Sequence, residues 1–315
     1  MLDNKQCLNY FKMKTISICI PVFNEEDNIE NAYNKIVNLF ENKLINYDYE
    51  IIFTDNHSSD KTEEIINNLC KKNIKVKYIR FRANLQYDKS ILEGYKNSTG
   101  DAAIVFNCDL QDPPEMLEKF IYHWENGNDL VYSVVNSRKE NLIINLLRVL
   151  FYKIMNFNTE IKYPLNAHDF RLLDRKVINR LKDTNNLFPY VRGLTYSLAK
   201  TPRSIEYDRE KRNKGKSKFG FYKLFIYAIN AFIEETFLFT KIFHKITLIL
   251  LISFLIFSIA NIIKSFTLLT FFNHLILGFM IFICTFLTIV CEYCARIYYQ
   301  LKKTQRIRYE KKINF

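Results

Sequence analysis

The feature that most constrains this chain is a long apolar segment near its C-terminus. From Ile246 to Cys291 its 46 residues carry one side chain of fixed charge, Lys264, with apolar pieces of 18 and 27 residues on either side. As a helix rising about 1.5 Å per residue, each piece is long enough to cross a hydrocarbon core of about 30 Å. The alternative is a helical hairpin buried in a soluble core, but such helices seldom run this far without a polar face. The sequence therefore predicts two transmembrane helices.

The charges that flank the apolar segment predict its orientation. Lys241 and Lys245 precede the segment, whereas the connecting turn near residues 264–273 carries only Lys264. Seven further cations follow it, namely Arg296, Lys302, Lys303, Arg306, Arg308, Lys311 and Lys312. Because cytoplasmic flanks are enriched in Lys and Arg, we expect both ends of the segment in the cytoplasm. Residues 1–14 lack the apolar core of a signal peptide, so residues 1 to about 240 are expected to be cytoplasmic as well.

The chain before residue 240 alternates between strand-like and helix-like segments. Amphipathic helical segments that begin near residues 25, 60, 87 and 114 separate short apolar runs typical of buried strands. These runs are Ile16–Val22, Tyr49–Thr54, Val76–Phe81, Ala102–Phe106 and Asp129–Val134. With seven Gly and six Pro, the composition disfavours a many-turned all-β chain. The alternation predicts an α/β fold built on a doubly wound, mostly parallel sheet.

Polar and acidic residues follow three of these predicted strands, at 24–26, 55–60 and 107–114. In doubly wound sheets, ligands bind at the carboxyl ends of the strands. The sequence contains neither a GxGxxG dinucleotide fingerprint nor a P-loop. Residues 58–60 can equally act as helix caps. Asp109, with oxygen-bearing neighbours, has the hard ligands that suit Mg²⁺ or Mn²⁺.

Several segments, in order along residues 15–303, resemble a known family. Three of them resemble the donor-site motifs of family 2 glycosyltransferases with the GT-A fold: ISICIPVFNEEDNI, EIIFTDNHSSDKT and FNCDLQDPPEML. Others resemble the branch of polyprenyl-phosphate glycosyltransferases that includes dolichol-phosphate mannose synthases and bactoprenol glucosyltransferases: HDFRLLDRKVINRL, FPYVRGL, YDREKRNKGKSKFGFYKL and CEYCARIYYQLKK. The resemblance implies a GT-A-like catalytic part, a nucleotide-sugar donor and a polyprenyl phosphate acceptor.

The resemblance also implies which residues form the donor site. Pro21, Asn24 and Glu25 would border the nucleotide. Asp55 would contact its base. Asp88 would add a further donor contact, unless it only supplies the negative charge favoured at the start of a helix.

The family's Asp-x-Asp metal motif corresponds to Asn107-Cys108-Asp109 in this chain. The resemblance implies that Asp109 holds Mg²⁺ or Mn²⁺, with Gln111 and Asn107 as neutral oxygen ligands. The loss of one carboxylate is expected to weaken metal binding, and Asp112 could compensate. A divalent cation at this place would neutralise the charge that develops on a leaving nucleoside diphosphate.

The acceptor side is expected to combine one carboxylate with a cluster of cations. By the resemblance, Asp169 orients the acceptor or the sugar. Residues 203–223 carry eight Lys or Arg against three acids, and Arg209, Arg212 and Lys218 are the expected contacts of the lipid phosphate. The alternative is a solvated basic loop attracted to anionic lipid headgroups. Nucleic acid is disfavoured as a partner of this +12 chain because the basic run adjoins the apolar segment.

Two further segments predict contact with the surface of the bilayer. Asn141–Phe157 and Phe219–Phe239 are rich in Leu, Ile and Phe, and we interpret them as interfacial helices, with a buried helix as the alternative for the first. The predicted organisation is an N-terminal extension, a cytoplasmic GT-A catalytic domain, a juxtamembrane helix, two transmembrane helices and a basic cytoplasmic tail. Their ranges are 1–14, 15–220, 221–245, 246–295 and 296–315.

The favoured function is inverting transfer of a sugar from a nucleotide-sugar to polyprenyl phosphate at the cytoplasmic face of a membrane, by one direct displacement at the anomeric carbon. A UDP-sugar is the favoured donor, although Asn56-His57-Ser58 and Gln86, where the family has Asp-Gly-Ser and a glycine, leave the nucleotide and sugar open. One alternative is a family 2 transferase with a glycan or glycerolipid acceptor. Another is an inactive membrane scaffold, suggested by Asn107. A homo-oligomer is compatible with the sequence.

Overall fold

The computed structural model describes most of the chain in six stretches, 13–135, 142–158, 166–183, 190–209, 268–301 and 309–315, with shorter pieces at 164, 228–229, 245–246, 248–249 and 252. The chain divides into two compact units. One comprises Met1–Tyr152, Tyr163–Gly220 and Ile307–Phe315, and contains the sheet and the helices packed on it. The other comprises Lys153–Lys162 and Phe221–Arg306.

The first unit is organised around a mixed sheet of eight strands in the order β7-β5-β6-β4-β1-β2-β3-β8. Strands β1 to β4 form its parallel centre, in which β1 pairs with both β2 and β4, and β2 pairs with β3. β6 is antiparallel to β4 and β5, and β8 is antiparallel to β3. In chain order the strands are β1 (Lys14–Val22), β2 (Tyr47–Asp55), β3 (Val76–Phe81), β4 (Ala102–Val105), β5 (Leu130–Val135), β6 (Ala167–Asp174), β7 (Pro202–Tyr207) and β8 (Tyr309–Ile313).

Successive side chains of a strand point to opposite faces of the sheet, so both faces are apolar and helices cover both of them. Ile18 of β1 points into one apolar cluster and its neighbour Cys19 into the other. Apolar residues at helical spacing in α1 and α4 join the first cluster, and those of α3 and α6 join the second. The helices of the chain are α1 (Ile29–Asn42), α2 (Thr62–Lys72), α3 (Tyr87–Asn97), α4 (Met116–Glu125), α5 (Leu142–Asn158), α6 (Arg175–Lys182), α7 (Val191–Leu198) and α8 (Leu268–Leu301).

The structure confirms the α/β class and the five strands expected from apolar runs. Most of the described strands run in one direction, as predicted, but the sheet is mixed. Three strands that the sequence did not indicate join it, with β6 between β4 and β5 and with β7 and β8 at the two edges. Two of these, β6 and β8, run antiparallel to their neighbours. The segment expected to be a basic tail therefore contains a strand of the sheet, β8.

The predicted membrane segments are only partly described. Helix α8 is 34 residues long, whereas most of the apolar piece before Lys264 lies outside the described residues. Among the helices that the structure describes, none meets both the length and the apolarity needed to span a bilayer. The predicted interfacial helix over 141–157 corresponds to α5, and the one over 219–239 lies almost entirely outside the described residues.

Candidate active site at the carboxyl ends of the strands

The loops that follow β1 and β2 form one wall of the candidate site. Asn24 has a positive φ of 53°. Its backbone N–H donates to Ser58 Oγ at 2.9 Å, and its side-chain oxygen accepts the Ser59 N–H at 2.8 Å. The backbone N–H of Glu25 donates to Thr62 Oγ1 at 2.9 Å. The two loops thus hold one another where the sequence predicts the nucleotide.

Asp55, at the end of β2, is fully buried and accepts four hydrogen bonds. One carboxylate oxygen accepts from the Ser58 N–H at 2.9 Å and from Ser58 Oγ at 2.6 Å. The other accepts from Tyr78 Oη and from Arg80 Nη1, each at 2.7 Å. Asp55 therefore fixes the shape of its own loop, and its contact with a base stays a prediction. Pro21, also predicted to border the nucleotide, is buried one residue before the end of β1.

The loop after β4 carries the residues predicted to bind a metal. Asn107 Oδ1 accepts from Tyr87 Oη at 2.8 Å, and Asn107 Nδ2 donates to Asp112 Oδ2 at 3.3 Å. Asp109 is 9% exposed, and its Oδ1 accepts the Gln111 N–H at 3.3 Å. The structure thus brings the three predicted ligands into one loop, but it turns the oxygen of Asn107 towards Tyr87.

This loop fits a cation that is shared with a substrate phosphate. Mg²⁺ is commonly bound by one or two carboxylates together with phosphate oxygens, and Asp109 supplies one such carboxylate. Within the described residues, no three His, Cys, Asp or Glu side chains are grouped to hold a metal by themselves. The oxygen of Asn107 already accepts a hydrogen bond from Tyr87, which leaves its second lone pair for a cation.

Asp112 connects the loop after β4, which is predicted to bind a metal, to Arg209, which is predicted to contact the acceptor phosphate. The carboxylate is fully buried, accepts a hydrogen bond from Tyr207 Oη, and lies 3.2 Å from Arg209 Nε. His168 Nδ1 lies 3.8 Å away, but burial lowers the pKa of His168 to about 4, so this ring is neutral near pH 7. Burial alone would raise the pKa of Asp112, but the charge of His168, which is protonated in acid, and then that of Arg209 keep this pKa below its ordinary value. Arg209 thus carries a positive charge to the loop after β4.

Asp169, in β6, is locked by an arginine of α7. Arg192 Nε donates to Asp169 Oδ1 at 3.0 Å, and Arg192 Nη2 donates to Asp169 Oδ2 at 2.7 Å. The third nitrogen, Nη1, donates to Tyr152 Oη at 3.0 Å. Burial would raise the pKa of Asp169, but the paired guanidinium holds it well below the usual range. Asp169 is therefore ionised and suits an orienting role rather than that of a base.

Asp88, in the first turn of α3, faces this acceptor-side pair. Its Oδ1 accepts the Val191 N–H of α7 at 3.3 Å. Burial, followed by the charge of Asp169, raises the pKa of Asp88 to about 7, with Arg192 opposing the shift. Asp88 thus neighbours the residue predicted to orient the acceptor, and its contact with the donor stays a prediction.

Two of the predicted phosphate-binding residues, Arg212 and Lys218, lie outside the described residues. Three side chains that hold the site together were not singled out from the sequence: Tyr87, Arg192 and Tyr207. Arg192 lies within FPYVRGL, a segment of the family resemblance, so its position carried a usable signal. Tyr207 likewise begins YDREKRNKGKSKFGFYKL, another of these segments. Tyr87 carried no such signal, because it acts through a single hydrogen bond to Asn107, which lies on another element.

Carboxylates and arginines gathered at the carboxyl ends of the strands of an α/β sheet are typical of sites that bind phosphorylated ligands. The model of glycosyl transferase family 2 matches residues 17–182, which is more than half of the chain. The chain belongs to this family and is a glycosyltransferase with a GT-A-like fold.

Relatives with curated names agree with this assignment. An uncharacterized glycosyltransferase of Synechocystis is 31% identical over 254 residues, which cover 80% of this chain and 79% of that protein. The bactoprenol glucosyl transferase of Shigella phage SfX is 35% identical over 217 residues, which cover 68% of this chain and 70% of that protein. Among solved structures, glucosyl-3-phosphoglycerate synthase from Mycobacterium tuberculosis, in complex with Mn²⁺, UDP and phosphoglyceric acid, aligns with a TM-score of 0.46 and 16% identity over 69% of this chain and 75% of that one.

Proposed function

We propose that this glycosyltransferase moves a sugar from a nucleotide-sugar, with a UDP-sugar favoured, to a polyprenyl phosphate. The observation that carries the proposal is the contact between Arg209 and Asp112. It joins a residue predicted to bind the acceptor phosphate to the loop that holds Asp109. Donor diphosphate and acceptor phosphate would meet at this point. The resemblance to bactoprenol glucosyl transferases supports a polyprenyl phosphate as the acceptor.

The donor side is built from the loops that follow β1, β2 and β4. The proposal places the nucleotide against the loops of Asn24 and Asp55, and its diphosphate beside Asp109. Asp109 and Gln111 would hold Mg²⁺ or Mn²⁺, which, when bound, neutralises the charge that develops on the leaving nucleoside diphosphate. Asn107 supplies no formal charge, so the protein part of this site carries less negative charge than an Asp-x-Asp motif would.

The acceptor requires little help from a base. By analogy with other phosphate monoesters, its second pKa lies near 6, so the attacking oxygen is largely ionised at pH 7. This oxygen forms the new bond to the anomeric carbon as the bond to the nucleoside diphosphate breaks, and the configuration inverts. Arg209 lowers the repulsion between the two phosphorylated substrates, while Asp169, held by Arg192, orients the acceptor or the sugar.

The proposal also places the enzyme at a lipid bilayer, with its catalytic part on the cytoplasmic side. The apolar segment between Ile246 and Cys291 and its Lys- and Arg-rich flanks support this placement. Within the first unit, Leu146, Leu147 and Leu150 of α5 are exposed, as expected for a helix that contacts lipid. A polyprenyl phosphate presents its head at such a surface.

The test offers membranes that contain the full chain a panel of labelled nucleotide sugars and polyprenyl phosphate, and measures chloroform-soluble label. Label from one donor is expected with the wild type. Arg209→Ala should slow transfer by about 2–5 kcal/mol in activation free energy, as for other close charge pairs, with nucleotide affinity retained. Arg203→Ala, which changes an exposed arginine of β7, is the matched control. Absence of lipid label from every donor, or equal effects of the two substitutions, would refute the proposal.

A further inference from the structure

Strand β8 forms the edge of the sheet next to β3, near the loops after β1 and β2 that are predicted to contact the nucleotide. Strand β8 pairs antiparallel with β3, with Tyr78 opposite Ile313 and Arg80 opposite Lys311. Asp55 lies at the end of β2 and accepts a hydrogen bond from Arg80 of β3. A single strand, β3, therefore separates β8 from the carboxylate that shapes the loop at 55–60.

A β-bulge in β8 places the side chain of Glu310 beside Arg80 of β3. The register shifts between Arg80, opposite Lys311, and Phe81, opposite Tyr309, so that Glu310 is the extra residue on β8. Bulges of this kind redirect a side chain and are frequent beside active sites. The Glu310 carboxylate lies 3.0 Å from Arg80 Nε and 3.5 Å from His57 Nδ1.

Through its three nitrogens, Arg80 links Glu310 to the loop at 55–60. Nε donates to Glu310, Nη1 donates to Asp55 Oδ2 at 2.7 Å, and Nη2 donates to the Ser58 carbonyl oxygen at 3.0 Å. Ser58 in turn accepts the backbone N–H of Asn24 at 2.9 Å. A continuous series of hydrogen bonds therefore connects β8 to both loops that are predicted to contact the nucleotide.

The attachment of β8 does not depend on Glu310. Tyr309 Oη donates to Glu93, Lys312 Nζ donates to Asn97 Oδ1 at 2.6 Å, and Asn314 Nδ2 donates to the Val76 carbonyl oxygen at 2.7 Å. These contacts, together with the backbone pairing, hold the strand. The side chain of Glu310 is about half exposed, so removing it leaves no cavity in the core.

We propose that Glu310 is a positioning residue for the nucleotide donor. By fixing Arg80 it sets the geometry of the loop between Asp55 and Ser58, so that the C-terminal strand is part of the donor site. The inference rests on the proposed function, which places the nucleotide against this loop. It assigns a role to the last residues of the chain, which follow the apolar segment and return to the catalytic unit.

The test measures UDP affinity by calorimetry, and the KM for the donor, with the full chain in detergent. Glu310→Ala should raise the dissociation constant and the donor KM about two- to five-fold, the effect expected of a partly exposed charge pair. The kcat and the KM for polyprenyl phosphate should be unchanged. Lys312→Ala removes a neighbouring charge of the same strand. Because the backbone pairing and the bonds of Tyr309 and Asn314 still hold β8, this variant should leave donor affinity unaltered. Glu310→Asp should restore affinity towards the wild-type value.

Hydrogen exchange gives a readout that a purely structural role would not produce. Because coupling between two sites is reciprocal, UDP should slow exchange of the amides of 309–313 in the wild type, and less so in Glu310→Ala. Equal effects of Glu310→Ala and Lys312→Ala, or a loss of kcat with donor KM unchanged, would overturn the inference alone. If the wild type binds none of UDP, GDP and CDP, the proposed function fails and the inference with it.

Discussion

Arg192 donates two parallel hydrogen bonds to the carboxylate of Asp169, one from Nε at 3.0 Å and one from Nη2 at 2.7 Å. Both side chains are largely buried, at 20% and 12% exposure. In such surroundings a forked arginine fixes the position of a carboxylate and holds its charge. The pair therefore places a permanent anion beside the predicted acceptor site, with Tyr152 as the third partner of the guanidinium.

The first prediction concerns the paired hydrogen bonds between Arg192 and Asp169. Arg192→Lys keeps the positive charge but cannot make the paired contact and also loses Tyr152, so we expect a loss of about 1–3 kcal/mol in the free energy of unfolding. Transfer activity should fall with it, because Asp169 is no longer held in one orientation. Thermal unfolding in detergent, followed by the fluorescence of Trp124, measures the first effect. Arg203→Lys, which changes an exposed arginine of β7, is the control. A loss of stability in this variant as large as that in Arg192→Lys would contradict the argument.

The second prediction is a pH dependence that arises from Asp88. Its pKa of about 7 in the folded protein lies above the value near 3.9 expected for an unfolded chain, so the native state binds the proton more tightly. The resulting stabilisation is present in acid and is lost as the pH rises from about 4 through about 7. Asp88→Asn stays neutral and should be more stable than the wild type at pH 8, by about 1–3 kcal/mol, with the difference vanishing near pH 4.

Thermal unfolding of the two proteins between pH 4 and pH 8 measures this difference. Asp27→Asn changes an exposed carboxylate and serves as the control. A constant difference between Asp88→Asn and the wild type across the range would show that the carboxylate of Asp88 does not titrate as proposed.

The third prediction concerns the departure from the Asp-x-Asp motif. The Asn107 amide donates to Asp112 at 3.3 Å, so Asn107→Asp would set two carboxylates side by side. Without metal, we expect this variant to be less stable by about 1 kcal/mol or more, because like charges in one site disfavour ionisation. With Mn²⁺ and UDP its gain in stability should exceed that of the wild type, since a second carboxylate strengthens cation binding.

Chelation with EDTA should reverse this gain. Asn68→Asp, on the exposed side of α2, adds the same charge away from the site and should respond to Mn²⁺ as the wild type does. Identical metal-induced shifts in the wild type and Asn107→Asp would argue against a cation at this loop.

The success and failure of the sequence-based predictions have a common physical basis. The central strands and their helices follow from local periodicity, which is why β1 to β5 could be located in advance. The sequence of β8, YEKKI, has three charged residues and no strong apolar alternation, and it becomes a strand only by pairing with β3. The contact between Arg80 and Glu310 joins residues 230 positions apart. No local pattern could indicate it.

The same reasoning applies to the candidate site. Which loops carry it follows from the topology of a parallel sheet, because the carboxyl ends of the strands meet at one edge. The direction in which each side chain points depends on neighbours from other elements. Asn107 turns towards Tyr87, and Asp169 is held by Arg192, so the orientations of these side chains could be read only from the structure.

The last prediction tests a strained residue that the family resemblance already marked. Gln86 stands where the family has a glycine, and it adopts φ 71° and ψ 169°, a region that residues with a Cβ rarely occupy. Asn84 Oδ1 accepts the Gln86 N–H at 2.9 Å, and the Leu85 N–H donates to Asn56 at 3.3 Å, so the loop holds this conformation against its cost. Relief of about 1–3 kcal/mol of strain should outweigh the extra chain entropy of glycine, about 0.5–1 kcal/mol.

Gln86→Gly should therefore raise the free energy of unfolding by about 1 kcal/mol, which corresponds to a few degrees in Tm. Gln86→Ala keeps the Cβ and hence the strain, so its stability should stay close to that of the wild type. Thermal unfolding of the three proteins side by side measures the difference. If the alanine variant gained as much as the glycine variant, the gain would come from loss of the glutamine side chain, and the backbone at residue 86 would carry no strain.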